Sequence, residues 1–407
     1  MDRIRGLRAH RALITFMMGH FTVDMFGGLM PMLYPVLADR FDMSKSDIGL
    51  VALAYTGASS LSQPLFGYLA DRFGSRWFAI ISMMWSATMV GFAGLSQSYA
   101  MLIMFSLLAG LGSGAYHPQG ASNAAAVAGD LRRNTAMSVY TVGGTVGYSL
   151  GPLLGALLFW AFGGWGTLAV APFGFIVAFS MLKQFRRFGY GLNTHRASEQ
   201  AAQSAIPWRR LAPVMAVVML RSWVTLSVVT FIPIWFKDMH YSAAFYSVLA
   251  SMVLISSAMG TLAGGILADR IGERHVLSVS LIVATPCLLL FAMFPGVPSL
   301  AFGPAFGFCV EMGMSVTLVM AQRMLPGRVG VSSGFILGMG FVTGGIGAPV
   351  TGLLADRIGT DRAIMSMSLL IVTAALIAWR LPKSAPPSAT LLTPPVSTMP
   401  SSSAEAV

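Results

Sequence analysis

The feature that most constrains this chain is the recurrence of apolar runs about 20 residues long, each enough to carry an α-helix through roughly 30 Å of hydrocarbon. Twelve are read, at 13–38, 47–70, 77–96, 99–121, 134–162, 165–182, 212–236, 243–268, 275–295, 298–322, 330–355 and 363–381. Nothing inside a bilayer hydrogen-bonds a bare backbone, and continuous apolar runs of this length satisfy their own N–H and C=O groups as helices. With 55% of 407 residues apolar and 10% charged, the balance lies outside the range of soluble domains. The expected fold is an all-α integral membrane protein with twelve transmembrane helices.

A net charge of +11 in a soluble protein would suggest nucleic acid, but here the cations alternate with the loops. Twenty Lys and Arg fall on the side of the N-terminus, and five (Arg40, Lys45, Lys237, Arg357, Arg362) on the other. The positive-inside rule therefore puts both termini in the cytoplasm and removes nucleic acid as a partner. The first run follows a basic start without a small-residue cleavage site, so it reads as a retained helix. Cys287 and Cys309 fall inside spans and read as small apolar residues, so neither a disulfide nor a metal framework is expected.

The chain also repeats itself. "GYLADRFGSR" at 67–76 returns as "GILADRIGER" at 265–274, between spans 2 and 3 and again between spans 8 and 9. "GPLLGALLFWAFG" closes span 5 as "GAPVTGLLADRIG" closes span 11. This duplication divides the chain into a six-helix half (1–182), a cytoplasmic linker carrying six Lys/Arg (183–211), a second six-helix half (212–381) and a Pro/Ser-rich tail (382–407) expected to be disordered. Two pseudo-symmetric halves can rock about their interface, exposing a midplane site to each side in turn. In the repeated loops Asp71, Arg72, Arg76, Asp269, Arg270 and Arg274 are gating candidates: an aspartate at a helix end accepts N–H groups from a neighbouring helix start in one state and releases them in the other. The competing reading makes them topology anchors, which explains the arginines but neither the aspartates nor the glycines.

Ionisable residues inside a span are functional candidates by default. Five are present: His20, Asp24, His117, Arg221 and Glu311. His20 and Asp24 are one helical turn apart, on a face that continues to Gly27 and Pro31, and they are the leading proton-coupling pair, with Glu311 as a further candidate. Arg221 offers a permanently charged planar fork for an anionic group; the alternative is a buried pair with Glu311 that only holds helices together. His117 and Gln119 are further substrate-binding candidates, His117 standing equally well as a helix-end histidine. In span 5, Gly147, Gly151 and Gly155 form a small-residue stripe with Pro152 as a bend. "GLGSGAYHP" lacks the G-K-[ST] ending of a phosphate loop, so direct ATP coupling is not expected. No metal-ligand grouping or nucleophile elbow is legible, so neither a metal site nor an enzyme is expected.

The decapeptides resemble the G-x-L-A-D-R-x-G-x-R/K loop signature of the major facilitator superfamily, and "GYSLGPLLG" resembles that superfamily's antiporter motif. "GHFTVDMFGGLMPMLYP", "GLGSGAYHPQGASNAA" and "LPGRVGVSSGFILGMGFVTGGIGAP" look like its fosmidomycin resistance branch. The resemblance implies a monomeric multi-pass protein of the bacterial inner membrane that exports small drug-like, including anionic, molecules in exchange for protons, with the proton gradient in place of any cofactor. The sequence departs from the branch at Gln119, where a glutamate is usual, and at Gln322-Arg323, where Gln-Glu is usual. A metabolite symporter or facilitator on the same fold is the alternative, and a non-transporting membrane sensor a more distant one.

Overall fold

The computed structural model describes residues 2–128, 132–188 and 205–382, and the regular structure among them is helical throughout. In the first half these are α1 (Asp2–Phe41), α2 (Lys45–Phe73), α3 (Ser75–Ala93), α4 (Tyr99–Ala128), α5 (Arg133–Phe162) and α6 (Ala171–Phe188). The second half contains α7 (Trp208–Asp238), α8 (Ala243–Ile271), α9 (Glu273–Met293), α10 (Ser299–Glu311), α11 (Met314–Met324), α12 (Val329–Ile358), α13 (Thr360–Ser366) and α14 (Ser368–Arg380). α10 and α11 continue one rod across Met312–Gly313, and α13 and α14 another across Met367, so the described helices form twelve rods.

Nine described stretches are long and apolar enough to cross a membrane; one of them, 133–186, contains both α5 and α6. α2 and α3 are absent from the nine. α2 owes this to buried polar residues such as Ser59, Ser60 and Gln63, which face protein rather than lipid. Outward, Leu61, Leu153, Trp160 and Leu369 stand largely exposed, as expected of side chains whose solvent is hydrocarbon.

Packing repeats between the halves. α1 lies on α5 as α7 lies on α12, α2 on α4 as α8 on α10, and α3 on α6 as α9 on α14. The halves meet where α2 touches α12 and α5 touches α8, a pair of contacts that the pseudo-two-fold exchanges. The α1–α5 contact rests on the expected glycine stripe. A Cβ at Gly147 would collide with the Phe21 carbonyl, one at Gly151 would enter the backbone of Met25 and Gly28, and one at Gly155 would press on Met32 and Leu29.

Three differences from the sequence reading have local causes. The sixth span begins as a 3-10 turn, Gly163–Val170, because three glycines in four residues make a poor helix start. α4 extends to Ala128, past the expected end at 121, since Pro118 is tolerated within it. The linker is shorter than expected: α6 runs to Phe188 and α7 starts at Trp208. Residues 189–204 of the linker, and the tail beyond Pro382, lie outside the described residues.

Candidate functional site

His20 and Asp24 are one turn apart on α1, and His20 Nε2 lies 3.2 Å from Asp24 Oδ2. α4 adds a third group, with His117 Nε2 3.3 Å from the other carboxylate oxygen and 3.4 Å from Ser113 Oγ. α5 holds the cluster from behind. The Tyr140 ring stacks on His20 at 4.4 Å, its carbonyl lies 2.9 Å from His20 Nδ1, and its hydroxyl donates to the His117 carbonyl at 3.4 Å. Gly144, one turn on, is required there, because a Cβ would occupy the space of Asp24 and His20. Phe341 of α12 stacks over His117 at 6.1 Å, so the cluster borders the opposite half. Both histidines are buried, while the Asp24 side chain keeps 14% of its surface accessible.

The Tyr140 carbonyl can only accept a hydrogen bond, so it assigns a hydrogen to His20 Nδ1. In a neutral ring Nε2 would then turn a lone pair toward Asp24 Oδ2 at 3.2 Å. Two acceptors repel at that distance. One additional proton, on the imidazole or on the carboxyl, turns the contact into an attraction. The geometry is therefore that of a site for a single exchangeable positive charge.

The second half holds its own pair between the corresponding helices. Arg221 Nη1 of α7 lies 2.6 Å from Glu311 Oε1 at the end of α10, and Thr225 Oγ1 donates to the same oxygen at 3.0 Å. The charge that seemed uncancelled in the sequence is thus paired. Its pairing is incomplete, since Nη2 meets only the Met314 sulfur at 3.1 Å and Nε is buried with no hydrogen-bond partner. Immediately after Glu311 the rod passes through Met312 and Gly313, which keep right-handed helical backbone angles, and Thr261 Oγ1 of α8 donates to the Glu311 carbonyl at 3.3 Å.

The repeated loops tie the halves together at the end where α1 begins and α14 finishes. Asp71 accepts the backbone N–H groups of Gly330 and Val331, both at 2.8 Å, at the first turn of α12. Asp269 does the same at α5, accepting from Asn134 N (3.1 Å), Asn134 Nδ2 (3.0 Å), Thr135 N (2.8 Å) and Thr135 Oγ1 (2.6 Å). A carboxylate on a helix start satisfies orphan N–H groups and meets the positive end of the dipole. The glycine four residues earlier makes this reachable: a Cβ at Gly67 would run into the Gly330 backbone, and one at Gly265 into Asn134 and Ser138. Gly74 and Gly272, with φ of 96° and 94°, then turn the chain into the next helix through backbone conformations that other residues rarely adopt.

The arginines of these loops are placed differently from the gating role expected of them. Arg72 and Arg270 are exposed; Arg72 lies over Phe73, Arg76 over Trp77 and Arg274 over Trp379, at 5.4, 5.2 and 5.7 Å. The glycine turn directs them to the rim. Gln119 is wholly buried and donates to the Phe66 carbonyl at 2.9 Å, which places it in α2–α4 packing, apart from the His20–Asp24–His117 cluster. Glu273 was missed by sequence reasoning. It pairs with Arg323 at 2.6 Å and accepts from Asn134 Nδ2 at 3.1 Å, widening the Asp269 contact; the signal was a glutamate where the first decapeptide has Ser75. The absence of a metal-ligand grouping is also corrected, because His20, Asp24 and His117 offer ligand atoms all within 4.8 Å of one another. Ninety-three residues separate Asp24 from His117, a spacing that only the fold closes.

Comparison with known proteins agrees with this architecture. The chain is 29% identical over 351 residues to the fosmidomycin resistance protein of Escherichia coli (strain K12), covering 84% of this chain and 85% of that one. It is 23% identical over 398 residues to the multidrug efflux pump Tap of Mycolicibacterium fortuitum, covering 91% and 96%. The transporter FucP, solved in the outward conformation, superposes with a TM-score of 0.75 at 13% identity, over 91% of this chain and 99% of that one. The model of the Major Facilitator Superfamily matches residues 15–331 and 211–400, and the chain belongs to that family of multi-pass membrane transporters for small molecules.

Proposed function

We propose that this transporter is a proton-coupled antiporter that exports small anionic, drug-like molecules from the bacterial cytoplasm across the inner membrane. It works as a monomer with both termini inside and draws on the proton gradient in place of a cofactor. The observation that carries the reading is the His20–Asp24 contact, in which a carbonyl-held Nδ1–H leaves Nε2 facing a carboxylate that needs one proton between them. Loss of that proton leaves Asp24 charged and accessible from the cavity, and its return neutralises the cluster before the halves rock. Arg221, with donors beyond those Glu311 engages, supplies the positive charge for the substrate anion. The names of two relatives, a fosmidomycin resistance protein and a multidrug efflux pump, support export, and the excess of cations on the terminal side supports the orientation.

The test is proton movement in proteoliposomes loaded with a pH-sensitive dye. Fosmidomycin and a panel of small phosphonates, carboxylates and organic cations are added at zero membrane potential. Antiport predicts that anion entry drives protons outward, so the lumen becomes more alkaline as anion accumulates. Acidification of the lumen with uptake would identify a symporter instead, and uptake without any pH change a facilitator.

A further inference from the structure

We propose that His20, Asp24 and His117 form a binding site for a divalent transition-metal cation of the Zn²⁺ or Co²⁺ class. Two neutral imidazoles and one carboxylate are a donor set suited to such ions. The spacing fits. Metal–ligand bonds of about 2.0–2.1 Å place the donors of a tetrahedral site about 3.3 Å apart; His20 Nε2 lies 3.2 Å from Asp24 Oδ2 and His117 Nε2 3.3 Å from Oδ1, so each imidazole already stands one such edge from one oxygen of the carboxylate. The three ligand atoms already lie within 4.8 Å of one another, so the widest separation closes by at most about 1.5 Å on an ion, judged against that tetrahedral edge.

The shell behind the ligands is also present. A metal-bound histidine usually donates its second ring N–H to a carbonyl or carboxylate, which fixes the tautomer that leaves the ligating nitrogen free. His20 does this through Nδ1 to the Tyr140 carbonyl at 2.9 Å, with Tyr140 stacked on the ring. His117 has no such anchor, its Nδ1 being buried without a partner, so its ring is the ligand that adjusts. Asp24, with 14% of its side chain accessible, leaves a coordination position on its open side for water or for an anion. The other ionisable side chains nearest the cluster are the phenols of Tyr116 of α4 and Tyr140 of α5; α12 presents the apolar Phe341.

The site itself rests on the donor geometry alone.

The experiment titrates Co²⁺ into detergent-purified full-length protein carrying no polyhistidine tag, and reads visible d–d absorption. The expected result is a saturable band of one ion per chain that Zn²⁺ displaces. Asp24→Asn and His117→Gln should each weaken binding more than about tenfold, since even outer-shell losses cost 10- to 100-fold. Exposed His240 and His275 should be replaceable by alanine without effect. Monodispersity by size exclusion guards against misfolding, and His20→Gln provides a second ligand variant. No saturable band, or a band unchanged in all three ligand variants, overturns the site. Failure here with intact proton exchange leaves the antiport reading standing, whereas metal binding in a protein whose transport moves no protons removes that reading and keeps the metal site.

Discussion

Asp71→Asn removes charge from the α2–α12 contact while preserving the side-chain shape. The carboxylate accepts two backbone N–H groups at 2.8 Å, one on each oxygen. Charged hydrogen bonds of this kind contribute about 1.5–3 kcal/mol each, against about 1 for a neutral one. An asparagine keeps one acceptor, and its NH₂ opposes the remaining N–H, so the variant loses one charged bond and weakens the other. The helix-start dipole term, about 0.3–1 kcal/mol, is lost as well. The sum is at least about 2 kcal/mol against the state closed at that end, or a shift of about 30-fold in the conformational equilibrium, since 1.4 kcal/mol corresponds to tenfold. Single cysteines along the inner faces of α4 and α11 near the terminal end, labelled with a membrane-impermeant maleimide in inside-out vesicles, should react correspondingly faster in Asp71→Asn. Labelling rates unchanged within twofold, in protein that is folded and active, would refute the reasoning and leave Asp71 as a turn residue.

Gly67→Ala should produce the same opening with the carboxylate intact, because its methyl meets the Gly330 backbone; interspin distances between α2 and α12 at that end would lengthen, and unchanged distances would contradict it. Glu311→Ala leaves a buried guanidinium without its carboxylate, at a cost of about 3–5 kcal/mol, seen as a lower Tm that added fosmidomycin partly restores. The double variant Arg221→Met with Glu311→Leu should recover stability but not anion binding, and a fully active double variant would assign the pair to packing. Gly147→Val wedges α1 from α5 at the Phe21 carbonyl and should cut the yield of folded protein severely; wild-type yield and Tm would show that the stripe tolerates bulk.

The helices were legible because a bilayer demands long apolar runs, and the halves because a charged decapeptide stands out in an apolar chain. That each loop aspartate meets a helix start was legible, but not that the helix start belongs to the other half. The Ala-Asp-Arg-Ile-Gly string of 268–272 recurs at 355–359, with Gly359 at φ 91°, yet Asp356 there is exposed. The motif fixes a turn, and the facing helix start gives Asp71 and Asp269 the N–H partners that Asp356 is not shown to have among the described residues. His20 and Asp24 could be joined from their spacing alone, but His117, the Tyr140 carbonyl and Gly144 come from α4 and α5, and backbone carbonyls leave no mark in a sequence. Arg221 and Glu311 could be read in the sequence either as an anion site or as a buried pair, and their 2.6 Å contact where α7 meets α10 is what joins them.

Under the proposed mechanism, one exchangeable proton between His20 and Asp24 drives transport. Asp24→Asn keeps the size and polarity of the side chain and removes its titration. In proteoliposomes the variant should exchange labelled fosmidomycin for unlabelled across the membrane at a rate near wild type, yet fail to accumulate it against a gradient when a pH difference is imposed. Full pH-driven accumulation by Asp24→Asn would contradict the claim and move the coupling proton to Glu311.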